Sequence, residues 1–235
     1  MRNKQAPAAL QPIIFISKDL QPESLLLKGL QDTHYKVAHE SLIKITPIRF
    51  SNVQKTQWIF FSSKNAIEHF FSQQPEIEAG TKFGVMGKSS AEFLKTYGHA
   101  ADFIGAGVDI AQIGKDFAEI IKNETVLFPQ AIDSLQTIQK HLSFKNISSN
   151  LYVYKTTLRT DFEIPSAEIL VFTSPSNVSA YFGKYKILPG QKVVAMGTST
   201  QRKLTDYGVK EAITPASFDD EGLLKAIHPF TLHSS

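Results

Sequence analysis

Two stretches of this chain repeat each other in a nearly constant register, and that limits what it can fold into. Trp58–Phe71 aligns with Ile169–Phe182, matching Phe61 with Phe172, Ser63 with Ser174 and Phe71 with Phe182. Phe83–Ala106 aligns with Val193–Ala216, one position out of step with the first pair. There the matches are Met86/Met196, Gly87/Gly197, Ser89/Ser199, Leu94/Leu204, Tyr97/Tyr207, Gly98/Gly208 and Ala106/Ala216. Ile14-Phe-Ile echoes Val126-Leu-Phe more weakly, as Leu42-Ile-Lys echoes Tyr152-Val-Tyr. A period close to half the chain is too long for a solenoid, and 235 residues hold two such copies. Two buried strands converging on one composition would not also share glycines, serines and tyrosines at fixed spacing. The expectation is two similar domains in an internally duplicated chain.

The content of each copy sets its class. Ile13–Ile16, Trp58–Phe61, Phe83–Met86, Val126–Phe128, Ile169–Phe172 and Val193–Met196 are short apolar runs, the pattern of strands buried on both faces. Helical spacing follows: Ile67, Phe70 and Phe71 recur at i, i+3, i+4, and Val178, Tyr181 and Phe182 do the same. Alternating strands and helices predict an α/β fold with parallel sheets. Ser41–Ile45 and Leu151–Lys155 are β-rich without a helix behind them and read as extended connectors. A 42% hydrophobic and 20% charged composition excludes a disordered chain.

In open α/β sheets ligands bind beyond the carboxyl ends of the strands. The residues expected there are Ser17-Lys18, Ser62-Ser63-Lys64-Asn65, Gly87-Lys88-Ser89-Ser90, Thr173-Ser174-Pro175-Ser176-Asn177 and Gly197-Thr198-Ser199-Thr200. All five tips are rich in hydroxyls and none holds Asp or Glu. Two readings stand side by side. Ser63, Asn65, Ser176 and Ser199 cap helices, or the tips, with the free N–H groups and positive dipole end of a helix, receive carboxylate or phosphate. Gly87 and Gly197 are expected to allow a tight turn or a close backbone approach. Gly98 and Gly208 read as glycines just past a helix end, Pro175 as a first helical residue, and Asp219-Asp220-Glu221 as the first turn of the last helix.

Much chemistry is missing. With no cysteine there are no disulfides, iron–sulfur clusters or thiol nucleophiles. There is no G-x-x-x-x-G-K-[ST], G-x-G-x-x-G or H-E-x-x-H motif. His34, His39, His69 and His99 are scattered over expected helix or loop surfaces, and Glu76 and Glu78 read as solvated loop residues. The net charge of +3 is short of a nucleic-acid binder's excess. No apolar run approaches the ~18 residues of a membrane span. The basic start, Met1-Arg-Asn-Lys-Gln-Ala-Pro, has no apolar h-region and reads as a frayed tail rather than a signal peptide, so the expected compartment is the cytoplasm.

Phe60-Phe-Ser-Ser-Lys-Asn-Ala-Ile-Glu-His-Phe and Val171-Phe-Thr-Ser-Pro-Ser-Asn-Val-Ser-Ala-Tyr-Phe resemble the two FTSxNAVxxF segments of the uroporphyrinogen-III synthase family. Val194-Ala-Met-Gly-Thr-Ser-Thr, with Leu204 and Tyr207-Gly-Val, is similar to that family's AIGxxTxxxLxxxG segment, and Val153-Tyr-Lys-Thr to its VYxT segment. Pro215 through Ile227 resembles its closing helix, so the resemblance runs from about Ile13 to Ile227. It implies two flavodoxin-like parallel-sheet domains with a cleft between them, joined by two β connectors. One domain would comprise residues 1–40 plus 157–235 and the other 46–151, with connectors at about 41–47 and 151–159.

The implied reaction cyclises hydroxymethylbilane to uroporphyrinogen III, with loss of water and inversion of ring D. The implied partner is that small molecule alone, with no cofactor or metal, no nucleic acid or membrane, in a monomer. The substrate's acetates and propionates would account for acid-free tips. Tyr154 matches the family's tyrosine proposed as proton donor. Ser63, Ser90, Ser174, Lys192 and Ser199 match family positions facing the cleft. With them, Ser17, Ser62, Asn65, Ser89, Thr173, Ser176, Asn177, Gly197, Thr198 and Thr200 form the expected substrate-binding set. The chain departs from the family pattern where Thr198-Ser199 follows Gly197 in place of Pro-Thr, and where Lys64 stands opposite Pro175 of the other copy; the basic residue near the first strand is Lys18. The competing readings are a two-domain protein that binds a polyanionic metabolite without turnover, and a flavodoxin-like or receiver-type signalling module. The latter lacks an acidic cluster at the first tip.

Overall fold

The computed structural model describes residues 11–107, 109–143 and 148–231; the N-terminal tail lies outside them. The chain divides into two compact units, Met1–Ile43 with Leu158–Ser235 (unit 1) and Lys44–Thr157 (unit 2).

Unit 1 contains β1 (Ile13–Ile16), α1 (Leu25–Leu30) and β2 (Lys36–His39) from the start of the chain. Unit 2 follows with β3 (Ile43–Pro47, at the boundary), β4 (Trp58–Phe61), α2 (Lys64–Phe71), β5 (Lys82–Val85), α3 (Lys88–Lys95), β6 (Phe103–Ile104), α4 (Ile110–Ile121), β7 (Val126–Ala131) and β8 (Ser148–Leu158). The chain returns to unit 1 for β9 (Ile169–Phe172), α5 (Pro175–Phe182), β10 (Lys192–Ala195), α6 (Thr198–Asp206) and α7 (Asp220–Thr231).

The apolar runs form parallel strands, as their composition predicts. The β4–β5, β4–β7, β7–β8, β1–β2, β1–β9 and β9–β10 pairs are all parallel. Both faces are buried. In β4, Ile59 and Phe61 pack under α2 and α3 while Trp58 and Phe60 pack under α4. In β9, Leu170 and Phe172 face α5 and α6 while Ile169 and Val171 face α1 and α7. A strand sandwiched in this way has no polar face to show, which is why these runs are continuously apolar. Two strands, β5 and β10, start and stop one residue earlier than the apolar runs suggest.

Unit 1 has the sheet order β10-β9-β1-β2. Counted along the chain, its centre reads 2-1-3-4, the flavodoxin type. The expectation of the same order in unit 2 needs correcting. Its sheet runs β3-β8-β7-β4-β5-β6, so β4 to β8 read 3-2-1-4-5, the other doubly wound order. The reason is where the chain enters: β4 takes a central position at once, and the two strands that would lead a flavodoxin order, β7 and β8, come last. Counting from β7 restores 2-1-3-4-5. Individual pairings correspond as well. Gly84 pairs with Phe103, and Val194 forms an isolated parallel bridge with Ile213. In the register of the repeat, Val194 stands opposite Gly84 and Ile213 opposite Phe103.

Among the described residues, no helix is long and apolar enough to cross a membrane.

Candidate functional site

At the carboxyl end of unit 2's sheet, β4 runs into Ser62 and Ser63. Ser63 is extended (φ −156°, ψ 158°) and its Oγ accepts the Ala66 N–H at 3.1 Å, capping α2. Lys64 and Asn65 are the first two residues of that helix, so Asn65 is not its cap. The neighbouring β5 leads to Gly87 and α3, whose first three residues are Lys88, Ser89 and Ser90. Parallel neighbours lie about 4.8 Å apart, so the two tips are adjacent. Ser62, Lys64, Lys88 and Ser89 are exposed; Ser63, Asn65 and Ser90 are half-buried. Gly87 does not play the role expected of it. Its backbone is extended (φ 178°), and a Cβ there would come no closer than 3.9 Å to the Gly105 carbonyl.

Tyr154 reaches this tip through a β-bulge. β8 pairs Tyr152 with Gln130 and Tyr154 with Ala131, which leaves Val153 as an extra residue. A bulge breaks the alternation of side chains. Val153 and Tyr154 therefore both turn into the core, at 0% and 8% exposure, while Tyr152 stays 41% exposed. The Tyr154 hydroxyl lies 3.2 Å from Ser63 Oγ, and its ring lies 5.5 Å from that of His69. Burial raises the phenol above its ordinary value, the Ser63 bond opposes that, and the charge of Asp133 adds to it. The phenol is therefore protonated at neutral pH.

Unit 1's tip uses its polar groups on itself. Ser17, at 0% exposure, accepts the Thr173 N–H at 3.0 Å, and the Thr173 hydroxyl donates to the Ser17 carbonyl at 2.7 Å. Ser174 is extended and its Oγ accepts the Asn177 N–H at 3.2 Å. Asn177 is buried; its Oδ1 accepts the Leu42 N–H at 2.9 Å and its Nδ2 donates to Ser174 Oγ at 2.9 Å. Thr200, at 1% exposure, donates back to the Met196 carbonyl at 3.0 Å. Ser17, Asn177 and Thr200, expected to touch substrate, are thus buried and engaged within the unit: Ser17 ties the ends of β1 and β9 together, Asn177 ties α5 to Leu42, and Thr200 ties α6 to the end of β10. Thr198 is exposed and Ser176 and Ser199 are half-buried. Gly197 does need to be glycine, with φ at +96° and the Phe218 ring 3.3 Å from the place of a Cβ.

Two further expectations change. Lys192 opens β10, at the end of the sheet away from the tips, so the structure does not bring it to them. The tips of unit 1 are also not free of acid. Lys18 Nζ lies 3.5 Å from Asp220 Oδ1, and Asp19 accepts the Ser41 N–H at 3.0 Å. Asp219 caps α7 by accepting the Gly222 N–H at 2.8 Å, which with the Ser217 hydroxyl holds its carboxyl below the usual range. Asp220 and Glu221 fall in the first turn of the last helix as predicted, whereas Asp219 precedes it as the cap, and nothing in the sequence announced that Asp220 faces Lys18. His69 and His99 are not plain surface residues: His99 stacks on Phe71 at 4.9 Å and lies tilted against Phe83 at 4.7 Å. Adjacency to Tyr154 was invisible for His69, since it depends on a bulge in β8, far along the chain from α2.

These features define a class: a protein of two doubly wound α/β units, with a buried protonated phenol at one hydroxyl-rich tip. A family model described as "Uroporphyrinogen-III synthase HemD" matches residues 25–225, and the chain belongs to that family. It is 28% identical over 210 residues to a uroporphyrinogen-III synthase of Chlorobaculum parvum, covering 79% of this chain and 85% of that one. It is 23% identical over 240 residues to a porphyrin biosynthesis protein HemD of Ruminiclostridium josui, covering 91% of this chain but only 48% of the relative. The chain therefore spans about half the length of that protein. The crystal structure of uroporphyrinogen-III synthetase from Helicobacter pylori superposes with a TM-score of 0.68 at 15% identity, covering 94% of this chain and all of the other. At that identity the likeness speaks for the fold.

Proposed function

We propose that this protein cyclises hydroxymethylbilane to uroporphyrinogen III, releasing water and inverting ring D, in tetrapyrrole biosynthesis. The observation that carries this reading is Tyr154, the family's candidate acid. It is buried, hydrogen-bonded to Ser63, and held in the protonated form that a donor needs. In the proposed step the phenol proton goes to the substrate's hydroxyl, the carbon–oxygen bond breaks, and water leaves, generating an electrophilic azafulvene. Ring D then attacks through a spiro arrangement and re-closes inverted. Uncatalysed head-to-tail closure gives the type I isomer, so the protein's main task is to hold one folded conformation of a flexible chain. Exposed Ser62, Ser89 and Thr198, and half-buried Ser90, Ser174, Ser176 and Ser199, are proposed donors to the acetates and propionates. The two units are proposed to be duplicated domains, since the Gly84–Phe103 pairing of one recurs as Val194–Ile213 in the other.

The test generates hydroxymethylbilane in situ, adds the protein, oxidises the products and separates the type I and type III porphyrins. Predominantly type III is expected. Only type I from a folded protein would overturn the assignment and leave a polyanion-binding protein as the better reading.

A further inference from the structure

Ser63 has two partners among the described residues. Its Oγ accepts the Ala66 N–H, an otherwise unpaired donor of the first turn of α2, and it meets the Tyr154 hydroxyl at 3.2 Å. Ser63 therefore links the N-terminus of an eight-residue helix to the phenol. When Tyr154 gives its proton to a leaving hydroxyl, negative charge develops on Oη inside a site with 8% exposure, where water can do little to stabilise it. The Ser63 O–H is the donor at hand. An Oγ that already accepts an N–H is a better donor, because successive hydrogen bonds polarise one another, and the positive end of the helix favours the charge. This bond strengthens as the charge forms, so it lowers the barrier rather than merely tightening binding.

We propose that Ser63 is a positioning residue for catalysis: its hydroxyl, anchored by the first turn of α2, stabilises the phenolate that forms on Tyr154 as the substrate's hydroxyl leaves as water. The proton account closes without another reactant. Tyr154 loses one proton to the leaving group and regains one when the newly joined pyrrole carbon loses its hydrogen to restore aromaticity. The other groups facing the phenol are His69 from α2 and Asp133 from the loop after β7. Asp133 works against the phenolate, which makes a donor more necessary.

This inference rests on the synthase reading, and the test separates the two. Wild-type protein is assayed first for type III product; failure there removes the reading itself. Three variants follow. Ser63→Thr keeps both the cap and the donor and is expected to stay within about threefold of wild-type kcat. Ser63→Asp keeps a cap acceptor but offers the phenolate a like charge, and kcat should fall about 100-fold or more with KM little changed. Ser63→Ala loses both and should fall about 10- to 100-fold in kcat, with some loss of thermal stability. An independent readout is the ultraviolet titration of tyrosine, taken as the difference between each protein and its Tyr154→Phe counterpart. The Tyr154 pKa should rise in the Ala and Asp variants and stay put in the Thr variant. Wild-type kcat in the folded Asp variant would overturn the proposal, as would an unmoved Tyr154 titration in both Ala and Asp variants.

Discussion

In unit 1, Ser17, Thr173, Ser174 and Asn177 bond to one another and to the backbone of Val171 and Leu42, and little of that polarity is left for anything else. In unit 2 the corresponding turn after β4 spends one hydroxyl, Ser63, on a cap and a phenol, while Ser62, Lys88 and Ser89 are exposed. The caps themselves are the same: Ser63 and Ser174 differ by about a degree in φ and ψ. One backbone solution thus serves two ends. Where the side chains behind the cap are Thr173 and Asn177, it becomes a fastening between strand, helix and chain crossing. Where the bulge in β8 brings Tyr154 behind it, it holds a buried phenol, the group we propose as the proton donor.

The two buried tyrosines give the sharpest way to break this comparison. Tyr181 of unit 1 is pushed up to about 12, by burial and the neighbouring Tyr185, and donates to the Lys186 carbonyl at 3.4 Å. Tyr154→Phe should lower kcat by about 100- to 10,000-fold, the range a general acid supplies, with the protein still folded. Tyr181→Phe should leave kcat within about twofold and cost about 1 kcal/mol of stability. Steady-state rates of type III formation and thermal melts check both. Equal kcat losses would remove the distinction between the units.

Next in size is the fastening in unit 1. Asn177→Ala strands the buried Leu42 N–H, which should cost about 1–3 kcal/mol and lower Tm by several degrees. Urea denaturation of the variant checks it, and a cost below about 0.5 kcal/mol would mean that Asn177 is free for substrate after all.

The strands were readable because each is dictated locally: a run such as Trp58–Phe61 has no polar side and must be buried on both faces. The caps were less so. Of Ser63, Asn65, Ser176 and Ser199 only Ser63 caps its helix; Ser174 caps α5, Gly197 precedes α6, and the other three lie in first turns, because hydroxyl-rich runs offer several candidates within one or two residues. What could not be read depended on partners far away in the chain. The burial of Ser17 follows from Thr173, which reaches it from the other end of the sequence. The bulge that turns Tyr154 inward is set by its register on β7, so only the resemblance pointed to that residue. Strand order was half legible: repeat spacing gives equivalent strands, but not that unit 2 enters its sheet at the centre. Lys192 shows a simpler limit. A motif match fixes a position in sequence and not which end of a short strand the residue occupies, and Lys192 opens β10, away from the tips.

The exposed lysines offer a finer test of the unequal tips. Lys88 opens α3 in solvent, whereas its counterpart in unit 1 is the uncharged Thr198. Lys88→Ala should raise KM for hydroxymethylbilane about 3- to 10-fold with kcat nearly unchanged, and the effect should shrink as salt screens exposed charge. Thr198→Ala should move KM by less than about twofold. A larger effect at Thr198 would shift carboxylate recognition to unit 1.

The smallest expected effect lies at the other end of unit 2's sheet, away from the proposed site. Glu124 accepts from the Trp58 indole and from Lys82 at 3.0 Å, and Lys82 lies 5.2 Å from the centre of the Trp58 ring. These bonds, first from Trp58 and then from Lys82, hold the Glu124 carboxyl below its ordinary value. A depressed carboxylate contributes stability that is fully present above its unfolded pKa and is lost as pH falls through the folded one. Glu124→Gln should therefore destabilise the protein by about 1 kcal/mol near pH 7, where the pair is partly solvated and screened. The difference from wild type should close as the pH drops below the usual carboxylate range. Activity at pH 7 should not change, because this network lies at the amino ends of β4, β5 and β7, away from the tip that holds Tyr154. Parallel melts from pH 7 to pH 3 would show the convergence. A stability gap that persists at pH 3 would mean that Glu124 acts through packing against Trp58 rather than through its charge.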